Sequence, residues 1–205
     1  MRCRLVGSEM CIRDRYDWMR DPRFNGKTFE WDIVGTSENW RTTHNYRHHT
    51  YTNIKGMDED IGYGVLRLFP EQRWRPSYLW QPFYAIIFAL LFQWGVAIQE
   101  LRLGLWFKGR INNSKMKEIF APVGHKFKRQ LIKDYVVFPL LAGPFFLYVM
   151  LGNLIANGIR NVWTFSVIFC GHFTTDAEVF PKSVMKNENR GDWYVRQLRG
   201  SSNLT

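Results

Sequence analysis

Two long runs of apolar residues interrupt an otherwise polar chain. Residues 82–98 (PFYAIIFALLFQWGVAI) hold no charged side chain over seventeen positions, the lower limit of length for a helix that crosses a bilayer. Residues 135–159 are uncharged over twenty-five positions, enough to cross with some tilt. A third apolar and aromatic stretch ends at His172. This pattern predicts an all-α, integral membrane helical protein.

A soluble protein with buried core helices is the alternative, and the mean hydropathy of −0.29 favours it. The absence of any charge over residues 135–159 argues against it. Pro139, Gly143 and Pro144 would disturb a helix in water, but membrane helices tolerate such residues. Tryptophan and tyrosine side chains near the ends of the runs are typical of the aromatic belts at bilayer surfaces.

The first fifteen residues are not expected to belong to the native fold. The stretch RLVGSEMCIRDR (Arg4 to Arg15) can be encoded by the transposon end and tail of a common sequencing-library adaptor, and it lacks the apolar core of a targeting peptide. We therefore interpret residues 1–15 as a non-native, adaptor-derived scar. Outside the scar, Cys170 is the single cysteine, which excludes a disulfide framework and disfavours a thiolate metal site.

The positive charge of the chain is concentrated in residues 99–134. The net charge is +10, and this segment alone carries nine basic against three acidic side chains, whereas residues 16–76 carry nine of each. A basic segment can bind nucleic acid. Because this one lies between two apolar runs, we favour attraction to anionic lipid headgroups and expect no nucleic-acid partner.

The segment THNYRHHTYTN (residues 43–53) places three of the five histidines within six positions. On an α-helix His44 and His48 point from one face, while His49 is rotated by about 100° from His48. Such a helix can give one or two imidazoles to one metal ion and another to a second ion. Imidazole binds iron, zinc and copper alike, so the spacing does not select the metal. A polar helix start or an adventitious metal site is the alternative.

The segment WRTTHNYRHHTYTNIKGMDEDIGYG (residues 40–64) resembles the second histidine box of the membrane fatty acid desaturases, in which a histidine pair follows a first histidine after two or three residues. The resemblance is to the bacterial branch that includes linoleoyl-CoA-type, front-end enzymes. It continues through NGIRNVWTFSVIFCGHF, where His172 matches an additional metal-binding histidine of the family. The stretch WYVRQLRGSSNL then resembles the segment that leads into the third box. The resemblance covers residues 16–205.

The family's other two histidine boxes do not occur in the sequence. The first, a His-Asp-x-x-His-Gly-like stretch, would precede Tyr16, and the third, a Gln-x-x-His-His-like stretch, would follow Thr205. We therefore expect residues 16–205 to be a partial fatty acid desaturase domain, an internal fragment with a partial desaturase fold and its histidine-box helices at the membrane surface.

The resemblance implies a membrane di-iron oxidoreductase that introduces a double bond into a fatty acyl chain with O2. Two iron ions in a histidine-rich shell would carry out the oxidation, which no protein side chain can perform. The implied partners are an acyl-CoA or lipid-linked acyl substrate, membrane lipids, and an external electron donor such as ferredoxin or a cytochrome b5-like protein. The implied location is the bacterial inner membrane, with the metal site on the cytoplasmic side.

The number of membrane crossings stays open at this point. If residues 82–98 cross the bilayer, the basic segment lies opposite the histidine box, and the positive-inside tendency then places the box outside the cytoplasm. If residues 82–98 only dip into the bilayer, the box and the basic segment share one side.

The resemblance also implies which side chains bind metal. The implied ligands are His44, His48, His49 and His172. Asp58 and Asp60 follow the box and are candidates to hydrogen-bond the ligand imidazoles, a solvated acidic turn being the alternative. His125 is predicted to lie on the surface. Asn157 and Asn161 are predicted to form helix–helix hydrogen bonds, because a buried amide without a partner is unfavourable.

Two other functions are compatible with these residues. One is a membrane di-iron hydroxylase or ketolase that acts on a lipid, and the other is a non-catalytic membrane protein with an incidental histidine cluster. Lipid profiling of cells that express the full-length gene separates double bonds from oxygenated products. Further histidine boxes in the flanking gene would argue against the non-catalytic alternative.

The number of candidate ligands yields a first prediction. Two iron ions need about eight donors, roughly four for each ion, and the sequence offers four candidate histidines. We expect the purified 205-residue chain to be inactive as a desaturase and to bind at most one metal ion, weakly. Metal analysis by mass spectrometry checks this, and two tightly held iron atoms per chain would contradict it.

Overall fold

The computed structural model describes residues 21–22, 29–174 and 177–201, and the predicted scar lies outside them. Within these ranges the chain is mostly helical, and its strand-like pairing is a single parallel bridge between Ile54 and Phe180. The predicted all-α class is confirmed for this part of the chain. Two compact units are present: the described residues of 40–73 and 169–201 belong to the first, and residues 31–39 and 74–168 to the second.

The helices are named here in chain order. They are α1 (Ser37–Trp40), a π-helix (Arg41–His48), α2 (Gln81–Leu90), α3 (Phe92–Glu100), α4 (Leu103–Phe107), α5 (Asn113–Ile132), a second π-helix (Lys133–Val137), α6 (Phe138–Leu141), α7 (Phe146–His172) and α8 (Arg190–Arg199). Short 3-10 turns lie at Ile61–Gly64, Pro76–Trp80, Gly143–Phe145 and Lys182–Lys186.

The first apolar run is bent rather than straight. Helix α2 ends at Leu90, and the segments Pro76–Leu90 and Phe92–Phe107 meet at an angle of 95°. The amide of Asn161, in α7, donates to the carbonyl of Leu90 at 2.8 Å and accepts from the backbone N–H of Gln93 at 3.4 Å. One side chain thus pairs two backbone groups at the break, where the helical hydrogen-bond ladder is interrupted.

A glycine lets the two arms of the bend pack closely. A Cβ atom on Gly95 would lie 2.5 Å and 2.8 Å from ring atoms of Phe88, so the ring occupies the space of a side chain. The Phe88 ring is buried, and its centroid lies 5.3 Å from that of Phe92 and 5.9 Å from that of Phe165. Aromatic rings therefore fill the inside of the bend.

The second apolar run is interrupted as well, so an uninterrupted helix over residues 135–159 is a wrong expectation. Gly143 adopts a left-handed φ of 55°, and Pro144 has no N–H to donate. Helix α7 begins after this break and continues to His172, which is therefore the last residue of a long helix. Asn157 on α7 donates to Asp134 at 3.3 Å and to the Tyr135 hydroxyl at 3.0 Å, so the predicted helix–helix hydrogen bonding is confirmed.

In the described part of the chain, length and composition qualify no single helix to cross a membrane. The bent pair of Pro76–Leu90 and Phe92–Phe107 meets the same criteria when its two arms are taken together.

The role of Asn161 at the bend leads to a stability prediction. We expect Asn161→Leu to lower the free energy of unfolding by about 1–3 kcal/mol, because it leaves buried backbone groups without a partner. Thr164→Val is the matched control, since the Thr164 hydroxyl bonds only its own helix, at the Arg160 carbonyl. Denaturant unfolding of the purified chain in detergent, followed by circular dichroism, measures both, and equal stability of the two variants would contradict the prediction.

Candidate metal centre

A π-helical turn brings the three box histidines together. The backbone N–H of His49 donates to the carbonyl of His44, five residues earlier, which is the bond of a π turn. The ring centroids of His44 and His48 are 5.1 Å apart, those of His44 and His49 4.7 Å, and those of His48 and His49 5.2 Å. The α-helical rotation predicted for His49 is therefore wrong, because the wider turn keeps it beside His44.

The last turn of α7 adds a fourth imidazole. The ring centroid of His172 lies 5.2 Å from that of His48, although the two residues are far apart in sequence. The structure thus brings all four predicted histidines into one group, called the histidine cluster below: His44, His48, His49 and His172. On the other side of the box, the Trp40 ring lies over His44 with 4.2 Å between centroids.

Two of these histidines each bond a buried carboxylate, and in both the ring nitrogen involved is Nδ1. Nδ1 of His44 lies 2.9 Å from Oδ2 of Asp60, and Nδ1 of His48 lies 2.9 Å from Oδ2 of Asp58. A carboxylate oxygen accepts, so the hydrogen bonds assign the proton to Nδ1 and leave the lone pair on Nε2. This is the tautomer in which an imidazole binds a metal ion through Nε2.

The backbone after the box fixes these carboxylates. Asn53 adopts a left-handed φ of 56°, and its N–H donates to Oδ2 of Asp58 at 3.0 Å. The N–H of Asp60 donates to Oδ1 of Asp58 at 2.9 Å, which links the two carboxylates. Glu59, between them in sequence, instead forms an ion pair with Arg47. Of the three consecutive acidic residues, Asp58 and Asp60 therefore bond the histidine cluster, and Glu59 lies at the surface.

The loop continues with three consecutive residues at positive φ. Gly62, Tyr63 and Gly64 have φ angles of 61°, 52° and 71°. Glycine adopts this region freely, but a tyrosine does so at an energetic cost, and such strain is concentrated at functional sites. The Tyr63 ring is buried, with its centroid 6.1 Å from that of Phe169. The strained turn therefore covers α7 close to His172.

The electrostatics of the cluster suit a bound cation. Burial, followed by repulsion from the neighbouring imidazoles, lowers the pKa of His49 to about 3, so this ring is neutral at physiological pH. Burial, together with the nearby Asp58, raises the pKa of Asp60 to about 6. A metal ion would offset the negative charge of the carboxylates, and neutral imidazoles would supply its ligands.

Distances alone also allow a carboxylate to be a ligand. One potential ligand atom each of His44, His48 and Asp60 lie within 4.8 Å of one another. Because Oδ2 of Asp60 already accepts the hydrogen bond of His44, the geometry favours a supporting role for this carboxylate over direct coordination. His125 lies exposed on α5 in the second unit, as predicted.

Sequence reasoning assigned no function to the buried polar residues of α8. Arg196 and Gln197 are 3% and 2% exposed, and with Trp193 they donate hydrogen bonds to backbone carbonyls of residues 49–52. The sequence offers one local signal, the pair Asn189 and Asp192 that forms a capping box at the start of α8. That signal predicts a helix but not the surface against which the helix packs.

Comparisons with known proteins identify the family. The sequence profile described as fatty acid desaturase matches residues 13–205. The chain belongs to the fatty acid desaturase family. The family predicted from the histidine box is thereby confirmed. No solved structure matches the chain.

Two relatives show the range of the similarity. An "NADPH-dependent stearoyl-CoA 9-desaturase" of Mycobacterium tuberculosis is 46% identical over 197 residues, which cover 94% of this chain and 46% of that protein. An "sn-1 linoleoyl-lipid 6-desaturase" of Synechocystis is 29% identical over 192 residues, which cover 89% of this chain and 51% of that protein. The chain spans about half the length of these relatives.

The raised pKa of Asp60 leads to a prediction for the metal-free protein. A folded-state pKa of about 6 against an ordinary value of 3.8 means that the charged carboxylate opposes folding above pH 6 and has no such effect below pH 3.8. We expect Asp60→Asn to raise the melting temperature of the metal-free chain by a few degrees at pH 8 and by less at pH 5.

The control for this variant is Glu59→Gln, which removes a neighbouring half-exposed charge paired with Arg47. We expect it to change the melting temperature little at either pH. Scanning calorimetry in the presence of a chelator measures both variants. The variant's gain in melting temperature over the unmodified chain is the quantity compared. If this gain is smaller at pH 8 than at pH 5, the assignment of a raised pKa to Asp60 is contradicted.

Proposed function

We propose that the histidine cluster is part of the iron centre of a membrane fatty acid desaturase. The observation that carries this proposal is the convergence of four imidazoles from the box and from α7, two of them oriented by buried carboxylates. Family membership supports the reaction of this proposal, the introduction of a double bond into a fatty acyl chain, for which we propose O2 as the oxidant.

The four imidazoles fit iron by donor type and protonation state. Nitrogen ligands of this kind suit iron, and Nε2 of His44 and of His48 carries a free lone pair because Nδ1 is the donor to a carboxylate. In this proposal His44, His48, His49 and His172 contribute half of the roughly eight donors that two iron ions need. Bound iron would activate O2, which accepts two electrons from the acyl chain and two from the external donor as it is reduced to water.

The protein residues orient and insulate the centre. Asp58 and Asp60 hold two imidazoles in one tautomer and one ring orientation, and their charges increase the basicity of these ligands. His44 and His48 are buried, at 7% and 3% exposure, which keeps bulk water from competing for their nitrogens. The Trp40 ring also packs against His44, and the buried Tyr63 ring lies near Phe169, one helical turn before His172.

The substrate of this proposal is a fatty acyl chain on a carrier. The name of the Mycobacterium relative specifies an acyl-CoA and that of the Synechocystis relative an acyl lipid. The acyl chain is the common part, so the proposal extends to that part alone. The same name from Mycobacterium includes NADPH, which supports an external source of electrons for this chain. A ferredoxin or a cytochrome b5-like protein as the direct donor stays a prediction from the family resemblance.

The exposed apolar side chains support a membrane location. On α7, Leu147, Tyr148, Ile159 and Trp163 are between 66% and 76% exposed, and large apolar side chains exposed along the length of one helix favour contact with lipid. The 95° bend supports a segment that dips into the bilayer and returns. A re-entrant segment leaves the box and the basic residues 99–134 on one side, which we assign to the cytoplasm of a bacterial inner membrane.

The cluster can be tested separately from the reaction. We expect His172→Gln to lower the Co2+ affinity of the purified chain by at least about tenfold, since it removes a nitrogen ligand. His125→Gln, which changes an exposed histidine of α5, is the matched control and should leave the affinity unchanged. Titration followed by the visible ligand-field bands of Co2+ measures both, and equal affinities of the two variants would refute the cluster as the site.

The reaction is tested in cells that express a full-length protein containing this segment. We expect new double bonds in their fatty acids, lost on His48→Gln and retained on His125→Gln. Gas chromatography with mass spectrometry of the extracted lipids detects the products. Hydroxy or keto fatty acids in place of unsaturated ones would overturn desaturation in favour of a hydroxylase or ketolase.

A further inference from the structure

Helix α8 binds the last carbonyl groups of the histidine box. Nε2 of Gln197 donates to the carbonyl of His49 at 3.1 Å, and Nε1 of Trp193 donates to that of Thr50 at 3.1 Å. The Arg196 guanidinium donates to the carbonyls of Thr50 at 3.0 Å and of Thr52 at 3.1 Å. The side chains of one helix thus contact three peptide carbonyls of another segment, those of His49, Thr50 and Thr52.

Two of these carbonyls, those of His49 and Thr50, lie in the last turn of the helix, and that of Thr52 follows it. The last four C=O groups of a helix need water, a cap or another donor, and the box ends in the left-handed Asn53. Gln197 and Arg196 are almost fully buried, so their hydrogen bonds replace the solvent that otherwise satisfies a helix end. The end of the box is therefore fixed by side chains of defined geometry.

Gln197 is connected to both histidines of the pair. The hydroxyl of Thr52 lies 2.8 Å from the His48 carbonyl and 2.8 Å from Oε1 of Gln197. Its single hydrogen can be donated to one of these acceptors at a time. The Nε2 bond links Gln197 directly to the peptide group of His49, and the Thr52 hydroxyl can donate either to Gln197 or to the peptide group of His48.

Helix α8 is itself held in place. Arg196 forms two hydrogen bonds with the carboxylate of Glu188, at 2.5 Å and 3.1 Å, and both side chains are largely buried. Asn189 accepts from the backbone at the start of the helix, and Asp192 accepts from the N–H of Asn189. Gln197 therefore projects from a fixed helix toward the box.

We propose that Gln197 is a positioning residue of the iron centre, which acts through the peptide groups of His48 and His49 and not as a ligand. This inference rests on the proposed function. An imidazole ring is joined to its peptide by two bonds from Cα, so a displaced carbonyl displaces Nε2, and metal ligands need distances within about 0.2 Å of the ideal. Releasing the helix end would loosen the two ligands that are adjacent in sequence.

The test compares variants of the full chain by Co2+ titration. Gln197→Met keeps the approximate shape of the side chain and removes both hydrogen bonds, and we expect about a tenfold loss of Co2+ affinity with altered ligand-field bands. Arg199→Gln is the matched control on the same helix, since Arg199 pairs with the exposed Glu178. It should leave affinity and spectrum unchanged.

A second variant keeps the inference falsifiable if Gln197→Met does not fold. Thr52→Val removes the hydroxyl that connects Gln197 to the His48 carbonyl, and we expect weaker Co2+ binding by several fold with the same spectral change. Where both variants fold, the double variant should lose less affinity than the two single losses combined, because both changes disrupt one network. A purely structural residue would lower the melting temperature and leave the affinity of the folded protein as it was.

The outcomes separate this inference from the proposed function. If the unmodified chain gives no histidine-dependent Co2+ bands, the proposed function fails and this inference fails with it. If it binds Co2+ and the folded Gln197→Met and Thr52→Val variants bind equally well with an unchanged spectrum, the positioning role alone is refuted.

Discussion

The hydrogen bonds from two imidazoles to two buried carboxylates are the constraint on which the site depends. Nδ1 of His44 and Nδ1 of His48 both donate to aspartate oxygens, and this fixes the tautomer, the ring orientation and the local charge together. The arrangement is unfavourable in an empty site, since buried carboxylates without a cation are poorly solvated. The same arrangement is favourable once a cation is present. The local structure around the box can be understood as the scaffold that makes these bonds possible.

Much of that scaffold consists of polar groups that satisfy interrupted backbone. Asn53 ends the box and contacts Asp58, while Asn161 pairs the free backbone groups at the break between α2 and α3. Both asparagines are buried, at 1% and 3% exposure, and each stabilises a departure from regular helix. Each unit thus contains a buried asparagine at a helix break. In the first unit Asn53 helps to fix Asp58, the partner of His48, and in the second Asn161 stabilises the bend between α2 and α3.

The sequence predicted the chemistry better than the geometry. The helical class follows from the apolar runs, whereas the family follows from the resemblance of the histidine box to that of the desaturases. The π turn does not, because an i→i+5 bond depends on the backbone at the end of the box rather than on the identity of His44 or His49. The break after Leu90 has no local signal either: no proline or glycine stands there, and its partner Asn161 is distant in sequence. The break at Gly143 and Pro144, by contrast, lies at residues that disturb a helix in water. The expectation that a membrane helix tolerates them without a break is wrong.

The π turn of the box determines which changes in sequence the site tolerates. Asn45, Tyr46 and Arg47 fill the turn, and the side chain of Tyr46 is 58% exposed. Tyr46 is therefore the position of this turn that is most open to substitution, whereas Arg47 forms an ion pair with Glu59. In this chain the second histidine of the pair, His49, stands five positions after His44, which is the spacing of a π turn. Where two residues separate the first histidine from the pair, as the family pattern also allows, the last histidine stands four positions after the first, which is the spacing of an ordinary α turn, so the width of the turn and the number of intervening residues change together.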